Sequence, residues 1–216
     1  MNSSVVLLSS GLDSTVNLYE AKHASKVVLA LTFDYGQKAA RQEKAHSEKI
    51  CRELSISHRV IELPWFRDFT NTSLVSDKSS IPTHVNLQSR QAITDSAAQV
   101  WVPNRNGIFL SIAAAFAESL KAEWLIPGFN AEEATTFPDN SQEYLDSFTD
   151  SLKFSTMGRV KVKCFTTHLE KSAIYARGKE LGVNFQNVWP CYQGNDKPCG
   201  ACESCQRFLR AQDANP

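Results

Sequence analysis

The chain has 216 residues, 42% of them apolar, which is enough for one domain with a sizeable core and a small additional module. Its 23 Lys and Arg residues balance 23 Asp and Glu residues, which argues against a strongly basic nucleic-acid binder and an acidic disordered tail. No apolar run approaches the roughly 18 residues that span a bilayer, and the uncharged N-terminus lacks the pattern of a signal peptide. We therefore expect a cytoplasmic protein that does not bind membranes.

The first half of the chain alternates short apolar runs with longer helical patterns. Strands are predicted at residues 5–8, 27–33 and 59–63, and helices at residues 14–24 and 41–54. This alternation favours βαβ units and a parallel sheet. The polar segment 74–98 contains Pro82 and is predicted to be an irregular, mobile excursion over a site.

The same alternation continues to residue 188. Helices are predicted at residues 107–120, 142–154 and 170–181, and strands at residues 124–126, 160–165 and 185–188. Gly182 is placed to end the helix before it as a C-cap. The pattern as a whole predicts an α/β fold, followed by a small C-terminal module.

The strongest chemical signal is Val-Val-Leu-Leu-Ser-Ser-Gly-Leu-Asp-Ser-Thr at residues 5–15. A strand runs into a turn of small residues and then opens a helix, so backbone N–H groups and the helix dipole favour an anion there. The hydroxyl groups of Ser9, Ser10 and Ser14 add donors. An ordinary βα turn with Asp13 or Ser14 as N-cap is the alternative. No Gly-Lys-Ser/Thr follows, so a Walker loop is not indicated.

Four of the six cysteines lie between residues 191 and 205, with the spacing C-x7-C-x2-C-x2-C. In a chain expected to be cytoplasmic, such a cluster indicates a metal site rather than disulfides. Four thiolates suit a closed tetrahedral zinc site, and an iron–sulfur cluster is the alternative. Cys51 and Cys164 are predicted to be packed core thiols. The predicted metal ligands are Cys191, Cys199, Cys202 and Cys205.

Four segments together resemble the 7-cyano-7-deazaguanine synthase family, in matching order over nearly the whole chain. They are Ser-Ser-Gly-Leu-Asp-Ser at residues 9–14, Thr-Phe-Asp-Tyr-Gly-Gln at 32–37, Val-Pro-Asn-Arg-Asn at 102–106 and the cysteine-rich segment. The first is similar to the S-G-G-x-D-S loop of enzymes that cleave ATP between the α and β phosphates, with Ser10 at the first glycine position. The resemblance implies a Rossmann-like adenine nucleotide α-hydrolase fold at residues 1–188 and a zinc-binding module at residues 189–216.

The resemblance also implies a reaction and its site residues. The family converts 7-carboxy-7-deazaguanine, ammonia and ATP to the nitrile used for queuosine and archaeosine, and we expect Mg²⁺ and a structural Zn²⁺. The residues expected to bind ATP are Leu8, Ser9, Ser10, Gly11, Leu12, Asp13, Ser14, Thr15, Asp34, Tyr35 and Gln37. The residues expected to bind the second substrate are Arg105, Asn106, Glu133, Phe137 and Asp139. Catalytic roles are expected for Asp13, Ser14, Asp139 and Lys171.

Other segments depart from the family pattern. Residues 135–141 read Thr-Thr-Phe-Pro-Asp-Asn-Ser instead of S-G-Y-P-D-C-R, and residues 164–166 read Cys-Phe-Thr instead of Thr-Pro-Leu. Asn104 stands in place of glycine or phenylalanine, and Ala173 stands in place of an acid. Because these changes surround the expected substrate pocket, the chain can also be a divergent paralogue in a bacterial antiviral system.

Such a paralogue would transfer the activated acyl group to a protein amine. A thiolation enzyme with the same loop is another alternative. It would normally require a persulfide cysteine, whereas the clustered cysteines here are expected to bind a metal. A nucleotide-independent zinc-knuckle protein that binds nucleic acid is the alternative from a different class. We expect small-molecule partners and a homodimer.

Overall fold

The structure is a computed structural model that describes residues 2–216. Its strands are β1 (Ser3–Leu7), β2 (Lys26–Asp34), β3 (His58–Glu62), β4 (Trp124–Ile126) and β5 (Lys161–Val162). They form one parallel sheet in the order β3-β2-β1-β4-β5. The α/β fold predicted from the alternating pattern is therefore confirmed.

Residues 2–216 contain eight α-helices besides this sheet. They are α1 (Leu12–Ala24), α2 (Ala40–Leu54), α3 (Arg90–Val100), α4 (Arg105–Ser119), α5 (Ala131–Ala134), α6 (Gln142–Ser155), α7 (Lys171–Glu180) and α8 (Glu203–Asp213). Short 3₁₀ helices occupy Pro64–Asp68, Pro138–Asn140 and Phe185–Asn187. None of the helices in residues 2–216 has the length and apolar character needed to cross a membrane.

Hydrophobic side chains cover both faces of the sheet. In β1, Val5 packs in one cluster with Leu110 of α4, whereas Val6 packs in a second cluster with Val16 of α1 and Ile174 of α7. Successive residues of a strand point to opposite faces. A parallel sheet covered on both sides needs apolar residues at every position, which explains the continuous apolar run in β1.

The order of the strands creates a crevice. The chain moves outward from β1 through β2 to β3, and then returns to place β4 on the other side of β1. Open α/β sheets bind ligands outside the carboxyl ends of the strands, at such a switch point. The segments that follow β1 and β4 therefore lie at the expected ligand site.

One predicted strand is wrong, and another is longer than the strand in the structure. Instead of the strand predicted at residues 185–188, Phe185–Asn187 form a 3₁₀ helix, because the side chain of Asn184 accepts a hydrogen bond from the Gln186 amide and caps that turn. The Phe185 ring stacks on Tyr175 of α7, with 4.1 Å between the ring centroids. The strand predicted at residues 160–165 pairs with β4 only at Lys161–Val162. The C-cap residue of α7 is Leu181 rather than Gly182, which follows it in the left-handed region with φ of +72°.

The segment 74–98 contains a helix that its polar composition concealed. Helix α3 begins after Ser89, whose hydroxyl accepts a hydrogen bond from the Ala92 amide. The residues before it are bound to the cysteine-rich segment: Thr83 pairs antiparallel with Cys202, and the His84 amide donates to the Ala201 carbonyl at 2.8 Å. This segment is therefore a docked connection rather than a free excursion.

Candidate active site

A cavity of about 230 Å³ lies at the carboxyl ends of β1, β2 and β4. Most residues predicted from the family resemblance lie on its wall. These are Leu8, Ser9, Gly11, Leu12, Asp13, Ser14, Tyr35, Gln37, Arg105, Asn106, Glu133, Phe137 and Lys171. Ser10, Thr15, Asp34 and Asp139 are outside that wall. The structure thus brings together residues from five separate parts of the chain.

The loop of residues 9–14, called the phosphate loop after the family pattern that it resembles, joins β1 to α1. Gly11 is the N-cap of α1 and makes no side-chain cap, so the alternative with Asp13 or Ser14 as N-cap does not apply. The Ser14 hydroxyl donates to the Gly11 carbonyl at 3.1 Å and accepts from the Ser9 amide at 3.2 Å. These bonds close the loop into a tight turn at the N-terminus of α1, where anions are favoured.

Ser10 has φ of +59°, in the left-handed region that favours glycine. This observation explains why the family pattern has glycine at that position. The Ser10 side chain is buried and donates to the Ser9 carbonyl, and its own carbonyl accepts from the Trp189 amide at 2.8 Å. Ser10 therefore shapes the loop from behind instead of lining the cavity.

The loop after β4 packs directly on the start of α1. A Cβ atom added to Gly128 would lie 2.5 Å from both the backbone nitrogen and the Cα atom of Ser14. Only glycine allows two backbones to approach so closely. This contact sets the distance between the two loops that form the crevice.

A buried charged cluster lies beneath the phosphate loop. The Lys171 ammonium contacts the Asp13 carboxylate at 2.5 Å and the Glu133 carboxylate at 2.9 Å. The Asn130 amide donates to the same Oδ2 atom of Asp13 at 2.9 Å. The Oδ1 atom of Asp13 is buried and has no hydrogen-bond partner. The cluster therefore holds one carboxylate oxygen that is free to bind another group.

The pKa values in this cluster follow from its charges. Burial opposes the charge of Lys171, but the two adjacent carboxylates more than compensate and raise its pKa. Burial also acts against the charge of Glu133, but Lys171 holds the pKa of that carboxyl below its usual value. For Asp13 the burial dominates and raises the pKa. A cation or an additional donor at Oδ1 would favour the ionised form of Asp13.

The opposite wall of the cavity carries a second polar group. Arg105 donates to the Tyr35 hydroxyl at 3.1 Å and lies 5.8 Å from the centre of that ring. Within residues 2–216, no ion pair involves Arg105. Its guanidinium therefore has unused donors for an anion.

Gln37 connects three parts of that wall. Its amide nitrogen donates to the Phe33 carbonyl at 2.9 Å and to the Glu43 carboxylate at 2.7 Å, and its amide oxygen accepts from the Tyr35 backbone at 2.9 Å. Burial raises the pKa of Glu43 to about 7. Gln37 therefore orients both Tyr35 and a carboxyl group that titrates near neutral pH.

Three of the predicted residues outside the wall have other partners or surroundings. The Asp34 carboxylate pairs with Lys44 at 2.5 Å and accepts from the Gly36 amide. Thr15 is buried, and its hydroxyl has no hydrogen-bond partner. Asp139 lies beside Asn140 at the rim, where burial raises its pKa and the charge of Arg105 opposes that increase.

The sequence analysis missed several residues of the site, including Asn130, Glu43 and Tyr192. Asn130 holds Asp13, Glu43 lines the cavity, and so does Tyr192 from the cysteine-rich segment. Asn130 follows a predicted strand and precedes Glu133 by three residues, which is the spacing of a helix N-cap and a useful signal. Its oxygen does accept the Glu133 amide at 2.9 Å. Glu43 had no such signal, because it sits in a helix with many charges.

The four predicted metal ligands converge at the C-terminus. The sulfur atoms of Cys191, Cys199, Cys202 and Cys205 all lie within 4.8 Å of one another. Tetrahedral Zn–S bonds of about 2.3 Å place the sulfur atoms about 3.8 Å apart, so the cluster fits zinc. Backbone amides of Gln193 and Cys199 point at the Cys191 sulfur, each at 3.3 Å. The neighbouring Cys202 and Cys205 thiols, together with these amides, lower the pKa of Cys191.

Comparisons with known proteins identify the family of this chain. The family described as "Queuosine biosynthesis protein QueC" matches residues 3–215. The 7-cyano-7-deazaguanine synthase of Bdellovibrio bacteriovorus is 55% identical over 96% of this chain and 91% of its own length. That of Carboxydothermus hydrogenoformans is 53% identical over 100% of both chains.

Two solved structures share the fold at low sequence identity. The NMN synthetase from Francisella tularensis has a TM-score of 0.53 at 18% identity, covering 99% of this chain and 74% of that one. A 4-thiouridine synthetase, solved as an RNA complex with bound ATP, has a TM-score of 0.52 at 16% identity, covering 99% of this chain and 50% of that one. The fold is thus of the adenine nucleotide α-hydrolase type, and the chain belongs to the QueC family of queuosine biosynthesis proteins, with relatives named as 7-cyano-7-deazaguanine synthases.

Proposed function

We propose that this enzyme uses ATP to activate the carboxylate of 7-carboxy-7-deazaguanine and combines it with ammonia to give 7-cyano-7-deazaguanine. The observation that carries the proposal is the phosphate loop over the buried Asp13–Lys171–Glu133 cluster, on the cavity at the switch point of the sheet. The named relatives and the ATP in the distant 4-thiouridine synthetase support it.

The chemistry requires activation because a carboxylate has no good leaving group. Attack of a carboxylate oxygen on the α-phosphorus of ATP forms an acyl-adenylate and releases pyrophosphate. Ammonia then displaces AMP, loses a proton and leaves the amide. The amide oxygen then attacks the α-phosphorus of a second ATP and releases a second pyrophosphate, and loss of AMP and protons from this adenylate gives the nitrile.

The phosphate loop has the geometry to hold the phosphates of ATP. The N-terminus of α1 supplies N–H donors, the Ser9 hydroxyl lies beside it, and Lys171 supplies a positive charge beneath them. Asp13 fits Mg²⁺ because its Oδ1 atom is an unpartnered buried oxygen. Mg²⁺ bound there would neutralise charge on the departing pyrophosphate. Asp13, Ser14 and Lys171 would thereby stabilise the charge that develops as the bond breaks.

The substrate has a carboxylate at one end and ring N–H donors at the other. Arg105 suits the carboxylate, because its guanidinium is free of protein carboxylates in residues 2–216 and Tyr35 holds it in place. Asp139 lies beside the cavity and suits a ring N–H or a proton transfer. Asn106, Glu133 and Phe137 would complete the pocket, where Phe137 stacks on Trp101 with centroids 5.9 Å apart.

The four-cysteine site completes the proposal. Zinc bound by Cys191, Cys199, Cys202 and Cys205 would be structural, because four thiolates leave no open coordination position. Its role is to hold the segment that brings Tyr192 and Ser204 to the cavity wall. We also expect a homodimer, which light scattering would test.

The test uses the purified enzyme with 7-carboxy-7-deazaguanine, ammonium, Mg²⁺ and ATP. We expect AMP, pyrophosphate and the nitrile mass, each dependent on the acid. Asp13→Asn and Lys171→Met should reduce pyrophosphate release by about 10² or more, while Lys22→Met, at an exposed position on α1, should not. ADP and phosphate as products would overturn the adenylation step. AMP without nitrile, together with the deazaguanine mass on a protein, would instead support the protein-acceptor alternative.

A further inference from the structure

The amide of Lys171 is held by a carboxylate from another helix. Lys171 is the first residue of α7, and its N-cap residue, Glu170, makes no side-chain cap. The Oε1 atom of Glu132 in α5 accepts the Lys171 amide at 2.9 Å instead. A carboxylate at this position satisfies a free N–H group and is favoured by the helix dipole. Glu132 therefore determines where the first turn of α7 begins, and with it the origin of the Lys171 side chain.

Glu132 is in turn held by α8. Its Oε2 atom accepts from Arg207 at 2.6 Å and from Arg210 at 2.5 Å. The Arg207 side chain is only 7% exposed and Glu132 only 13%, whereas Arg210 is 44% exposed. The Nη2 and Nε atoms of Arg207 donate to one oxygen of Glu203, at 2.8 and 3.0 Å. The planar guanidinium group of Arg207 is thus held between the carboxylates of Glu132 and Glu203.

Helix α8 begins inside the four-cysteine site. Cys202 is its N-cap residue and Cys205 lies in its first turn, so two of the four thiolates belong to the start of this helix. Arg207 follows Cys205 by two residues. The metal site that orders these thiolates therefore also fixes the position from which Arg207 reaches Glu132.

We propose that Arg207 is a positioning residue for the reaction site. Through Glu132 it couples the order of the four-cysteine site to the position of Lys171, which contacts Asp13 and Glu133 under the phosphate loop. The catalytic consequence rests on the function proposed above, but the structural coupling does not. A buried ion pair is not needed for stability alone, because an apolar pair of the same size is often at least as stable. The guanidinium group of Arg207 instead fixes the orientation of the Glu132 carboxylate.

The experiment compares Arg207→Met and Glu132→Gln with Arg177→Met in the full-length, zinc-loaded enzyme. Arg177→Met is the matched control. It removes a different interhelical arginine–glutamate pair, the one between Arg177 of α7 and Glu20 of α1, which does not contact Lys171. Hydrogen exchange measures the Lys171 amide directly. We expect exchange about tenfold faster in Arg207→Met and Glu132→Gln, because a hydrogen bond to a charged acceptor is weakened, and little change in the control.

Steady-state pyrophosphate release supplies the second readout. Arg207→Met should lower kcat by roughly 10–100-fold, since about 1 Å of displacement has that effect, while KM for ATP changes little and zinc stays at one per chain. Arg207→Lys, which keeps the charge, should recover part of kcat. Combining Arg207→Met with Glu132→Gln should add no further loss, because both act through one contact.

The outcomes separate the two proposals. A wild-type enzyme that releases no pyrophosphate would contradict the proposed function, while the exchange of the Lys171 amide would still test the coupling. Unchanged exchange in folded Arg207→Met would overturn the coupling. Loss of zinc with normal kcat per folded enzyme would also overturn it, because Arg207 would then only stabilise the cysteine-rich segment. If Arg207→Met does not fold, Arg207→Lys and Glu132→Gln give the same two readings.

Discussion

The contact between Gly128 and the start of α1 offers a sharp test of how the crevice is built. In Gly128→Ala the new methyl carbon would lie 2.5 Å from the nitrogen and Cα of Ser14, and 2.9 Å from the Asp13 carbonyl carbon. Carbon atoms in contact are normally about 3.5–4.0 Å apart. All three of these atoms are backbone, so no side-chain rotation relieves the overlap. The phosphate loop and the β4 loop must therefore separate by roughly 1 Å.

The size of the effect follows from that displacement. A shift of about 1 Å in a reacting group costs roughly 10² in rate, and overpacking costs about 1–3 kcal/mol of stability. We therefore expect acid-dependent pyrophosphate release to fall roughly 100-fold in Gly128→Ala. For a chain of this size, Tm should fall by about 2–12 °C.

Gly178→Ala is the matched control. Its methyl carbon would meet the Phe185 ring at 2.9 Å and the Val16 side chain at 3.2 Å, which are side chains rather than backbone, and the site is in the last turn of α7. Alanine there gains about 1 kcal/mol of helix propensity. Pyrophosphate release should stay within about twofold of wild type. Wild-type release by folded Gly128→Ala would refute the inference that this backbone contact sets the crevice.

Three further predictions concern stability and metal. Ser10→Gly should raise the free energy of unfolding by about 1 kcal/mol, because φ of +59° is strained for serine; a lower Tm would contradict this. Since burial raises the pKa of Glu43 from 4.5 to about 7, its contribution to stability is greatest below pH 4.5 and is lost as pH rises to 7. This loss is at most about 3 kcal/mol, from 2.5 pH units at 1.36 kcal/mol each. Urea unfolding at pH 5 and pH 8 should show this fall in stability for the wild type and not for Glu43→Gln. Cys202→Ser should reduce bound zinc well below one per chain by elemental analysis, whereas iron with labile sulfide in the wild type would contradict zinc.

Features carried by neighbouring residues were open to prediction from the sequence. The turn at residues 9–14 follows from small residues between an apolar strand and a helix, and the clustering of four cysteines follows from their spacing. The polar segment before α3 and the apolar residues at Phe185–Asn187 were mispredicted. In both cases, the local pattern of polar and apolar residues does not determine which distant residues the segment packs against. The division of the chain between residues 188 and 189, like the homodimer, stays a prediction. The cysteine-rich segment contacts the main core, because Cys191, Cys202 and Cys205 pack in the same hydrophobic cluster as Val5 of β1.

The sequence by itself determined the parallel α/β fold, the tight turn of small residues before α1 and the cluster of four cysteines, because each depends on a local pattern of residue types. Only the tertiary structure decided which charges meet. Lys171 and Asp13 are 158 residues apart, Asn130 and Asp13 are 117 apart, and Arg207 and Glu132 are 75 apart. The strand order brings the loops after β1 and β4 together, and burial then forces their charged groups to pair, since an isolated ion is too costly away from water.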